Sequence, residues 1–114
     1  MTIETRPAGS ATVLELHGSL TSNDDPGLRP AVRLAIEQGA RAIVVNLEDV
    51  SDIDSFGVAV LASSHMSAVN RGARLMISNL TRKLRHIFAI TRLDTVFEIY
   101  ETEADAIADC RAME

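Results

Sequence analysis

An α/β fold on a mixed sheet is predicted by three features of the chain. Short apolar runs alternate with helical patterns, two β-rich segments adjoin near the start, and residues 42–47 are apolar at nearly every position. Alternation of strands and helices implies parallel crossovers, which are right-handed in nearly all proteins. The adjoining segments imply an antiparallel hairpin, and the unbroken apolar run implies a central strand covered on both faces. Together these features predict one domain: a four- or five-stranded sheet with helices mainly against one face.

The elements follow in order. Residues 2–8 and 11–17 are β-rich and separated by Ala8-Gly9-Ser10, with Val13 set against Leu14 and Leu16 in the second segment. The polar, turn-rich Thr21-Ser22-Asn23-Asp24-Asp25-Pro26-Gly27 precedes Leu28, Val32, Ala35 and Ile36 at helical spacing, with a stop at Gly39. Pro30 is tolerated only in a first turn, so this helix starts near Gly27 or Leu28. After the central strand, a helix is predicted over 55–71, with Val58, Leu61, Ala62, His65 and Val69 along one stripe and Gly72 as its C-cap. Arg74-Leu75-Met76-Ile77-Ser78 reads as a strand, and Leu84, Ile87 and Phe88 mark the buried side of a helix from about 81 to 91. Residues 96–100 supply a last strand. Thr102-Glu103-Ala104-Asp105 resembles a capping box that opens a terminal helix reaching about Met113.

Composition narrows the functional classes. A chain of 114 residues suits one conventional core, and 46% hydrophobic with only 4% aromatic residues makes that core aliphatic. A net charge of −5 argues against general nucleic-acid binding, which needs a surplus of Lys and Arg. Cys110 is the single cysteine, so neither an intrachain disulfide nor a cysteine-based zinc site is expected. The N-terminus lacks a secretory pattern and no apolar run approaches 18 residues, so a cytoplasmic protein without membrane insertion is expected.

Asp54-Ser55-Phe56-Gly57 is the most informative stretch, because it places a hydroxyl where an apolar strand gives way to an apolar helix. Ser55 falls at or beside a helix N-cap, where free backbone N–H groups and the positive end of the helix dipole favour an anion. Two readings follow: a plain cap, or a phosphoryl acceptor. Gly57 has two readings as well, close packing against a strand or access for a partner to Ser55. Phe56 is either a core residue or an interface anchor.

Other stretches exclude more than they suggest. Arg74, Arg82, Lys83, Arg85 and Arg92 lie in an acid-free run from 74 to 93, read as a solvated face or as a surface for an acidic partner. His17, His65 and His86 are widely spaced, so no metal site is expected. Ile53 stands where a hydrolase nucleophile elbow needs glycine, and no histidine is identified as a base, so no catalytic residue is expected. No Gly-rich phosphate loop is present, so no cofactor is expected and ATP would belong to a kinase partner.

Residues 46–57, Asn46-Leu47-Glu48-Asp49-Val50-Ser51-Asp52-Ile53-Asp54-Ser55-Phe56-Gly57, resemble the signature of STAS-domain anti-sigma factor antagonists, in which a strand ends in a turn and Asp-Ser-Ser-Gly or Asp-Ser-Thr-Gly opens a helix. Gly18-Ser19-Leu20, Gly72-Ala73-Arg74-Leu75, Ser78-Asn79-Leu80 and Leu93-Asp94-Thr95-Val96-Phe97 extend the resemblance over essentially the whole chain. Phe56, Thr21 and Arg92 depart from it, replacing a small hydroxyl residue, an acidic residue and a glycine.

The resemblance implies that the unmodified domain binds an anti-sigma factor, itself a serine-protein kinase, and so frees a sigma factor. It implies that phosphorylation of Ser55 ends this binding, with a phosphatase to reverse it. The implied contact surface is Thr21, Ser22, Asn23, Asp24, Ser51, Asp52, Asp54, Ser55, Phe56 and Gly57. The alternative implied role is a non-catalytic STAS subunit of a larger assembly, such as a stressosome-like complex or a lipid-transport ATPase.

Overall fold

In a computed structural model, which describes residues 2–23 and 27–112, the chain forms five strands and four α-helices. The order is β1 (Thr2–Ala8), β2 (Ala11–Leu20), α1 (Leu28–Glu37), β3 (Ala42–Ile53), α2 (Ser55–Asn70), β4 (Arg74–Ser78), α3 (Arg82–Ile90), a 3-10 turn (Leu93–Thr95), β5 (Glu98–Tyr100) and α4 (Glu103–Arg111). The strands lie side by side in chain order. β1 and β2 are antiparallel and every later neighbour is parallel, as the hairpin followed by strand-helix alternation predicts.

Side-chain alternation divides the core. Ile43, Val45 and Leu47 of β3, with Leu75 and Ile77 of β4, point to the side covered by Leu28 and Val32 of α1, Val60 and Leu61 of α2, and Leu84 and Phe88 of α3. Ala42 and Val44 of β3, Met76 of β4, and Ala11 and Val13 of β2 point the other way, beneath Ala106 and Cys110 of α4. Each fully buried large side chain contributes about 1.5–3 kcal/mol by leaving water. Three helices therefore share one face, and α4 alone covers part of the other.

Polar side chains bind α4 to the sheet. Arg6 of β1 donates to Glu15 of β2 at 3.0 Å and to Glu103 of α4 at 2.9 Å. Asn46, nearly buried on β3, donates to Glu103 at 2.9 Å and accepts the Glu48 amide at 2.9 Å, so both ends of its amide are used. Arg74 pairs with Asp109 at 3.0 Å and also with Glu98.

Several boundaries differ from the sequence expectation. The central strand runs six residues past Leu47, because Asp49, Val50 and Ile53 stay paired with His17, Gly18 and Leu20 across register shifts in β2. Residues 18–20 and 48–53, beyond the strands expected at 11–17 and 42–47, are therefore strand. The last strand begins at Glu98, not 96: Leu93–Thr95 form the 3-10 turn, Val96 is exposed and Phe97 folds into the core beside His65 and Phe88.

Helix ends agree more closely. Pro30 lies in the first turn of α1, Thr81 Oγ1 accepts the Leu84 amide at 3.2 Å to cap α3, and Thr102 Oγ1 accepts the Asp105 amide at 3.1 Å to cap α4. Gly72, with φ of 76°, follows Arg71 at the C-cap of α2. The buried stripe of α2 is Gly57, Val60, Leu61, Ser64 and Ala68, whereas Val69 is exposed. The expected end of α4 at Met113 and the predicted contact residue Asp24 lie outside the described residues.

Candidate functional site

The C-terminal ends of parallel strands are where open α/β sheets present their sites, and residues 54–57 stand at that edge. Asp54, not Ser55, is the N-cap of α2. Its backbone is extended, and its Oδ1 accepts the Gly57 amide at 2.9 Å. Its other oxygen, Oδ2, accepts the Ser22 amide at 3.1 Å and the Ser22 hydroxyl at 3.4 Å. One carboxylate thus anchors both the start of α2 and the loop after β2. The Gly57 and Ser22 amides, in that order, hold the Asp54 carboxyl below the usual carboxylate range.

Ser55 is consequently released from capping. It is the first residue of α2, it is exposed, and its hydroxyl makes no hydrogen bond to any described residue. No acidic side chain occupies the first turn of α2, so the positive end of its dipole faces this hydroxyl. Phe56 is half-buried and packs against the larger core cluster, in keeping with the core role considered for it. Gly57 is buried against the Leu20 carbonyl, with no room for a side chain, so its place here is close packing.

The other predicted contact residues surround this point. Thr21 is half-buried, while Ser22 and Asn23 are exposed on the loop that Asp54 holds. Ser51 is exposed near the end of β3 and donates to the Gly18 carbonyl at 3.3 Å. Asp52 is exposed, accepts the Ile53 amide at 2.8 Å and pairs with Lys83 Nζ at 3.3 Å. Lys83 of α3 is thereby brought to the same edge, an addition that its place 31 positions after Asp52 did not suggest. Of the other basic residues in its run, Arg74 serves the α4 network, while Arg82 and Arg85 are exposed.

The arrangement offers a neutral, exposed hydroxyl at the start of α2, beside the Asp54 carboxylate that caps the helix. A family model for the STAS domain matches residues 2–106. The chain belongs to the STAS domain family. The anti-sigma-B factor antagonist of Bacillus subtilis is 30% identical over 86 residues, which cover 75% of this chain and 78% of that protein. Two solved structures share the STAS fold. The phosphorylated form of the Bacillus cell fate determinant SpoIIAA has a TM-score of 0.71 at 24% identity, covering 95% of this chain and 98% of that one. A sulfate transporter family protein from Wolinella succinogenes has a TM-score of 0.81 at 17% identity, covering 91% and 87% respectively.

Proposed function

We propose that this STAS domain is an anti-sigma factor antagonist whose docking is switched off by phosphorylation of Ser55. The observation that carries the reading is the exposed Ser55 hydroxyl, unbonded at the first position of α2 while Asp54 does the capping. The antagonist relative from Bacillus subtilis and the phosphorylated state of a protein with the same fold support it.

In this reading the partner is an anti-sigma factor that is also a serine kinase. It contacts the loop at Thr21, Ser22 and Asn23, the end of β3 at Ser51 and Asp52, and Ser55 and Phe56 on α2. ATP binds the kinase; Ser55 Oγ attacks the γ-phosphorus, the bond to ADP breaks, and the hydroxyl proton passes to a base of the kinase. A phosphatase restores the hydroxyl.

The new group carries about −1.5 to −2 charges at neutral pH. The helix N-terminus accommodates it, so the fold persists, but a surface fitted to a neutral hydroxyl now meets an anion beside the Asp54 carboxylate. A loss of only ~2.8 kcal/mol weakens docking about a hundredfold, enough for a switch.

Incubation with ATP and a candidate anti-sigma serine kinase from the same organism, followed by mass-spectrometric mapping, tests site and partner together. The expected product carries one phosphate on Ser55, and Ser55→Ala remains unmodified yet still binds. Modification elsewhere, or equal binding by Ser55→Ala and Ser55→Asp, overturns the switch. Capture of transporter or multiprotein-complex components without a sigma-regulating kinase would support the assembly-subunit role instead.

A further inference from the structure

α4 leaves one end of its sheet face open, and there three ligand-type side chains converge across the β1–β2 hairpin. Glu4 and Glu15 are register partners on antiparallel strands, and His17 lies two residues past Glu15, so all three project from the same face. Directly opposed carboxylates repel one another unless a cation lies between them. Arg6 reaches one oxygen of Glu15, Oε2, at 3.0 Å. The other, Oε1, lies 3.7 Å from His17 Nε2, and Glu4 Oε2 lies 3.7 Å from that same nitrogen. The three atoms fall within 4.8 Å of one another.

A fourth residue, outside this trio, decides what the imidazole offers. Asp49 of β3, the register partner of His17, places Oδ2 at 2.7 Å from His17 Nδ1. The Asp49 carboxylate there holds a proton on Nδ1 and, with Glu4 and Glu15, favours the charged ring, so a metal ion at Nε2 takes the place of the second ring proton. Nε2 is shielded from water and has no hydrogen-bond partner among the described residues. At 3.7 Å its oxygen neighbours are too far for a normal N–H···O bond. In a tetrahedral zinc site, bonds of about 2.0–2.2 Å set ligand atoms about 3.3–3.5 Å apart, so each carboxylate oxygen must close on Nε2 by about 0.3 Å, and the two oxygens, within 4.8 Å of one another, must also close on each other. A carboxylate on the second ring nitrogen is the usual companion of a metal-bound histidine.

We propose that Glu4, Glu15 and His17 bind one divalent transition-metal ion of the zinc type, with Asp49 as the residue that positions His17. A nitrogen donor disfavours magnesium and calcium, which take oxygen ligands. With three protein ligands and His17 side-chain exposure of 29%, water completes the coordination. The site stands apart from Ser55 and does not depend on the switch.

Zinc chloride alone, titrated calorimetrically into chelator-stripped protein in a non-coordinating buffer at neutral pH, tests the site. One zinc per chain is expected, unaffected by a large excess of magnesium. His17→Gln is expected to weaken binding by at least about tenfold, as are Glu4→Gln, a change at an exposed position that leaves the fold alone, and Asp49→Asn. His86→Gln, at an exposed histidine elsewhere, is expected to bind as the parent does. Cobalt is expected to give visible ligand-field bands that His17→Gln abolishes. The proposal is overturned by an absence of binding at millimolar zinc, by identical isotherms for the parent and His17→Gln, or by equal competition from magnesium.

Discussion

The carbonyl oxygen of Leu20 lies 2.0 Å from the point that a β-carbon on Gly57 would occupy, and Ile53 Cγ1 lies 2.7 Å from it. Glycine is the one residue that lets α2 start this close to the end of β2. Because the obstructing atom is backbone, Gly57→Ala must push helix and strand apart, and it is expected to cost about 2–3 kcal/mol in chemical denaturation. Parent-like stability in Gly57→Ala would show that the close approach is not required.

Asp54 caps α2 and holds the Ser22 loop with one side chain, so Asp54→Ala is expected to destabilise the protein, as the loss of an N-cap does. The pH dependence has a definite sign. The folded-state pKa of Asp54 is lowered by the Gly57 and Ser22 amides from an ordinary value of 3.8. Its contribution is therefore fully present above that value and is lost as the pH falls through the lower, folded-state value. Asp54→Asn retains a cap but cannot titrate, so the stability gap between parent and variant is expected to shrink on acidification below about pH 4. Thermal melts across that range check it.

Ser55→Asp places a carboxylate at the positive end of the α2 dipole, worth about 0.3–1 kcal/mol, while the neighbouring Asp54 charge opposes it. The thermal midpoint is expected to stay within a few degrees of the parent as partner affinity falls by about a hundredfold. A collapse of the midpoint would mean that the anion disrupts the fold and not the docking.

Arg92 carries φ of 62°, a left-handed conformation at the position where the family resemblance has glycine. A non-glycine residue there is strained, whereas glycine gives up more chain entropy on folding. Relief of strain outweighs the entropy, and Arg92→Gly is expected to stabilise the protein by about 0.5–1 kcal/mol in denaturant titration.

The alternation of apolar runs disclosed element order and strand directions, because buried parallel strands need continuous apolar residues and the helices need a stripe. Local pattern failed where tertiary contacts override it. Glu48, Asp49, Ser51 and Asp52 look like a turn, yet pairing with β2 keeps the chain extended through them. Val96 and Phe97 look like strand, yet the ring of Phe97 is claimed by the core, its centroid 5.2 Å from that of His65. At the site, residue order pointed to Ser55, while the division of labour between a capping Asp54 and a free Ser55 took the hydrogen bonds to establish. Lys83 and the trio on the hairpin were hidden for a common reason: their neighbours come from other elements.

Among the described residues, α4 is the one helix over Ala11, Val13, Ala42, Val44 and Met76, and it follows β1–β5 in the chain. A chain cut after Tyr100 lacks α4, so it is expected to expose these aliphatic side chains and to aggregate more readily than the parent.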